Sequence, residues 1–109
     1  MRVHGQPPNV TPGEPATTFA RGETVGLQGT VAVVRGAHEV AVVWVKMEGD
    51  KPVVAGKWTG RVSEEHQGQP FLMWLGTTAN HPIGEYRVGV FKMMGAQAQP
   101  VVIRQFWLQ

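Results

Sequence analysis

The sequence predicts an all-β fold, an antiparallel β-sandwich of about seven strands. Three observations carry this. After residue 16, apolar residues recur at every second position, with no useful helical period and no internal repeat. Valine is abundant and leucine scarce, which suits a pleated, half-buried surface. Fourteen glycines and eight prolines in 109 residues punctuate the chain with turn signals. This length allows one hydrophobic core and no second. With 42% hydrophobic and 17% charged residues, a wholly disordered chain is excluded.

Residues 1–16 read as a Pro-rich extended tail or linker, and 17–109 as the sandwich. The tail holds four of the eight prolines, Pro7, Pro8, Pro12 and Pro15, and little to bury. Asn9-Val10-Thr11 within it fits a glycosylation acceptor, a pattern common by chance. Around Phe19 a short first strand is expected. Val25, Leu27, Val31 and Val33 share one parity and predict a long second strand, bent at Gly26 or Gly29. A turn at 35–38 leads to a third strand, Val40 to Met47. The tight turn Glu48-Gly49-Asp50-Lys51 returns the chain as an edge strand, Val53 to Trp58, with Pro52 unable to donate to a central ladder. Residues 63–70 are a polar loop, and Phe71 to Leu75 a short strand. A connection through Asn80-His81-Pro82 precedes a strand from Glu85 to Met93. After a turn at 95–100, Val101 to Leu108 closes the fold.

Three local patterns sharpen the fold: Phe19-x-x-Gly22-Glu23-x-Val25-x-Leu27, Val42-x-Trp44 and Pro82-x-Gly84-x-Tyr86-x-Val88. On these, residues 17–108 resemble immunoglobulin-like and fibronectin-type-III-like β-sandwich domains. Gly84-Glu85-Tyr86-Arg87-Val88 and the closing Phe106-x-Leu108, without cysteine, look like the disulfide-free bacterial kind. The resemblance implies that Trp44 is the core tryptophan. It makes Tyr86 a corner tyrosine whose hydroxyl bonds back to upstream backbone. Leu27 and Val88 would stand where antibody domains place bridging cysteines. It further implies a binding, adhesion or spacer module rather than an enzyme.

The inventory of reactive groups is thin. Cysteine is absent, so disulfides and thiolate chemistry are excluded. Ser63 is the one serine, and in Ser63-Glu64-Glu65-His66 the triad residue types are neighbours in sequence rather than convergent in space. Glu64 and Glu65 would point apart on an extended chain, unlike paired glycosidase acids. No glycine-rich phosphate loop precedes a helix. No cofactor is expected. The formal charge of +2 comes from scattered cations, which argues against a nucleic-acid partner. The longest apolar run, Val40 to Val45, is too short to insert in a membrane as a helix. The first residues carry no signal-type apolar core; an extracellular or periplasmic site is expected if a signal was removed.

The unusual feature is that several strands are apolar on both faces. Val42 and Trp44 point one way on the third strand, Val43, Val45 and Met47 the other. Tyr86, Val88 and Val90 oppose Gly89, Phe91 and Met93. Ile103 and Trp107 oppose Val102, Phe106 and Leu108. An antiparallel sandwich normally presents a polar outer face. The reading is therefore a non-enzymatic interaction module whose face or edge, with Val43, Val45, Phe91, Ile103 and Trp107, binds a protein partner or a second copy. The tail or the Trp58 segment folding over this face is one alternative. A bulge near Arg104 that swaps the parity of the last strand is another. Two further functional readings stay open. Trp58, between glycines and cations, would stack on a carbohydrate. A pole gathering His38, His66 and Met94 would suit copper, although no histidine pair has ligand spacing.

Overall fold

The computed structural model describes residues 1–4, 11–13, 16–32 and 35–109. Among these, nine strands follow in order: β1 (Val3–His4), β2 (Thr11–Pro12), β3 (Thr18–Phe19), β4 (Thr24–Thr30), β5 (His38–Glu48), β6 (Lys51–Val62), β7 (Pro70–Gly76), β8 (Gly84–Met94) and β9 (Gln97–Leu108). The only helical piece among them is a 3-10 turn at Glu64–His66. The fold is all-β, in two packed sheets, as the alternation predicts. Val33, and Asn9 and Val10 of the glycosylation pattern, lie outside the described residues, as do Pro7, Pro8 and Pro15.

The larger sheet runs β3-β9-β8-β5-β6. Its ladders are antiparallel except β3–β9, where Thr18 and Phe19 run parallel to Trp107 and Leu108. The smaller sheet pairs β4 with β7 over the full length of both. The β1–β2 ladder joins it through a bridge between Arg2 and Val25. The Met1 amine donates to the Gly26 carbonyl at 2.9 Å, and the Gly26 N–H donates to the Met1 carbonyl at 2.8 Å. The beginning of the chain thus pairs on the smaller sheet, away from the outer face of the larger one.

Both long hairpins turn on two residues. Glu48 faces Lys51 across Gly49-Asp50, and Met94 faces Gln97 across Gly95-Ala96. The leading glycines have φ +65° and +64°, the left-handed region that glycine enters without a Cβ clash. Here the structure corrects the sequence reading. The expected turn at 95–100 closes at Ala96, and β9 starts at Gln97 and runs through Pro100. Among the described residues β9 has no neighbour on that side until Trp107, so the missing proline N–H breaks no outer ladder there. A bulge between Val90 and Phe91, opposite Pro100 to Val102, absorbs the extra residue. It precedes Ile103, so the parity swap considered near Arg104 does not occur. β6 likewise runs past Trp58 to Val62, because Thr59–Val62 stays in register with His38–Ala41.

Between the sheets lie Phe19, Val25, Val42, Trp44, Leu75, Tyr86, Val88, Phe106 and Leu108. Phe106 is the hub. Tyr86 stacks on it with centroids 5.3 Å apart, while Phe19 and Trp44 meet its ring edge-on at 5.8 and 6.0 Å. These geometries suit the ring quadrupoles and add about 0.5–1.5 kcal/mol per pair beyond burial. Leu27 and Val90 pack against this cluster. The Tyr86 hydroxyl donates to the Pro82 carbonyl at 2.6 Å, the backward bond of a tyrosine corner. Thr77, the one buried polar residue described, accepts the Gly22 N–H at 3.0 Å and donates to the Glu23 carbonyl at 2.5 Å, tying the β3–β4 turn to the end of β7.

Candidate interaction face

The site is built by register. β9, β8 and β5 are consecutive in the larger sheet, as the two-faced reading requires. Across the outer face one row reads Lys57, Val43, Gly89, Ile103. Val45 and Arg87 stand opposite each other on one side of it, Ala41 and Phe91 on the other. Trp44 and Val88 alternate inward between them, which leaves the outer set apolar without weakening the core. Phe91 folds back over Gly89, where a Cβ would stand 2.6 Å from its ring. The ring thereby fills the slot in the middle of the row.

The result is an open groove of about 560 Å³ with Val43, Val45, Phe91 and Ile103 in its floor. Met47 and Met93 also line it, together with the charged Asp50, Lys57 and Arg87. The two methionines are missing from the sequence-derived set, although their parity with Val45 and Phe91 was the signal for them. Thioether side chains adapt to irregular partners, which suits a docking surface. Arg87 donates to Glu85 at 2.7 Å, so part of this charge is already paired. Ile103 is 51% exposed, whereas Val43, Val45 and Phe91 are half-buried by their neighbours.

Trp107 shares the outer face but not the groove. It stands opposite Glu85, and four residues along a strand separate it from Ile103 by roughly 13 Å. Trp74 also faces outward, on the smaller sheet opposite Gly26. Trp58 pairs with Val42 and is therefore on the core side of β6, at the edge of the sheet. Its indole lies over Gly60 and remains 44% exposed. Neither Trp58 nor the described part of the chain's beginning lines the groove.

At the pole expected to gather His38 and His66, the loops do meet: the Gly36 N–H donates to Glu64 at 3.0 Å. The histidine nitrogens are partly committed. His38 Nε2 pairs with the Arg35 carbonyl at 2.7 Å, and His66 Nδ1 accepts the Ser63 backbone N–H at 3.0 Å. Met94 is exposed at the tip of β8. Among the described residues no three of His, Cys, Asp or Glu cluster as metal ligands. The Ser63 hydroxyl donates to Glu65 at 3.3 Å and lies 3.4 Å from His66 Nδ1. Because that nitrogen already holds the backbone N–H, the arrangement is a helical cap rather than an activated nucleophile.

Comparison with protein-family models, with curated proteins and with solved structures returns no significant match for this chain.

Proposed function

We propose that this protein is a non-enzymatic binding module that docks a protein, a second copy of itself or another chain, on the outer face of its larger sheet. The carrying observation is that Val43, Val45, Phe91 and Ile103, from three adjacent strands, floor one groove. Contiguous apolar surface of this kind is characteristic of interfaces. The same reading places the chain with disulfide-free, bacterial-type immunoglobulin-like domains. Its support is the Tyr86–Pro82 bond and the burial of Trp44. The test is sedimentation across a wide concentration range, with Phe91→Glu beside the native chain. The variant is expected to keep its thermal midpoint within a few degrees and to lose association; a variant that unfolds instead places Phe91 in the core and ends the proposal.

A second reading is favoured by one feature. The indole of Trp58, laid on Gly60, offers a ring face to a sugar. Quenching or shift of tryptophan fluorescence across a glycan panel, lost in Trp58→Ala, would support it.

A further inference from the structure

We propose that the open edge of β6 receives an extended acidic segment of another protein as an added strand. The edge borders the outer-face groove at Lys57 but is a different recognition surface, open backbone rather than apolar floor, and stands on different observations. Among the described residues β6 pairs with β5 alone. The backbone groups on its other side are left for water or a partner. The first half of β6 is a poor template, broken by Pro52 and by the irregularity beside Trp44 and Val45. From Gly56 to Val62, paired with 38–44, the register is unbroken. Lys57, Trp58, Thr59 and Arg61 are all exposed there.

Charge selects the occupant. Residues 51–62 contain Lys51, Lys57 and Arg61 and no carboxylate. Glu39 stands opposite Arg61 across the ladder, yet among the described residues neither Lys57 nor Arg61 holds an ion pair. The other open edge of the same sheet, along β9, carries Arg104, and no Asp or Glu occurs from 86 to 109. Antiparallel pairing of β6 with β6 of a second copy about Thr59 sets Lys57 against Arg61, and pairing with β9 offers neither cation a carboxylate. A segment with carboxylates opposite Lys57 and Arg61, and an apolar residue opposite Trp58, meets complementary chemistry on both faces.

The experiment uses the full chain and a labelled peptide about nine residues long, alternating glutamate with valine. Binding is read by fluorescence anisotropy at low salt, and its location by amide hydrogen exchange. The expected result is saturable binding with new protection in 56–62. The affinity should fall at least about tenfold in Lys57→Glu/Arg61→Glu and persist in Phe91→Glu. A peptide N-methylated at alternate amides, which keeps its charges but cannot join a ladder, should not bind. Absence of binding overturns the proposal, as does equal binding by a lysine–valine peptide. So does binding that survives N-methylation, which would mean adhesion by charge alone. Protection of 56–62 that grows with protein concentration without peptide would assign the edge to a second copy and also overturn it.

Discussion

The ring of Phe91 covers the α-carbon of Gly89 on the same strand, and the two residues together occupy the centre of the outer face between Val43 and Ile103. A side chain at 89 and the ring in its present place are mutually exclusive. Because the ring is at the open end of a flexible side chain, it can move away.

Gly89→Ala is accordingly expected to change stability by less than about 1 kcal/mol. The gain from replacing a mid-strand glycine, roughly 0.5–1 kcal/mol, opposes the lost ring contact. Association through the groove should nonetheless weaken, since its floor is rearranged. Urea unfolding and sedimentation on the same preparation separate the two effects; equal losses in both would contradict the expectation.

Phe106→Ala should be far more damaging. It removes the ring that Phe19, Trp44 and Tyr86 all contact. A loss of about 3–5 kcal/mol is expected, by cavity formation in a packed core. Trp107→Ala, next to it but facing outward, should cost under about 1 kcal/mol. Chemical denaturation of both variants checks the contrast, and similar midpoints would place Trp107 in the core.

Tyr86 is the chain's one tyrosine, so its titration can be followed alone by absorbance. Burial first, and the negative charge of Glu48 second, hold its hydroxyl above the ordinary 10.0. The folded chain therefore keeps this proton after the unfolded chain has lost it. Stability from this source is intact below pH 10 and declines as pH rises beyond it. Tyr86→Phe should remove that alkaline decline. At neutral pH it should cost about 1–3 kcal/mol, because the Pro82 carbonyl loses its donor. A phenol titrating at its ordinary value in the folded protein would refute this.

Much of this architecture was legible because its signals are local. Alternation gave the strands from Thr24 to Met94 within a few residues, and Gly49 marked its hairpin directly. The corner at Tyr86 was readable because both partners, Pro82 and Tyr86, lie within one short motif. What escaped depended on neighbours in space. Pro100 reads as a turn until β9 is known to lack, among the described residues, an outer neighbour at that point, and the strand beyond Trp58 goes unread until β5 is seen to hold it. The central role of Phe106 needed three other strands to be placed around it. The same limit shaped the site. Parity put Ile103 and Trp107 on one face, but only the register against β8 shows that Ile103 faces Gly89 while Trp107 faces Glu85.

The open edges of the larger sheet carry lysine and arginine but no histidine, aspartate or glutamate within 51–62 or 97–109. The repulsion proposed between copies at the β6 edge would be set by ionic strength: the screening length is about 10 Å at 0.1 M and about 3 Å at 1 M salt, so concentrated salt is the condition under which it fades.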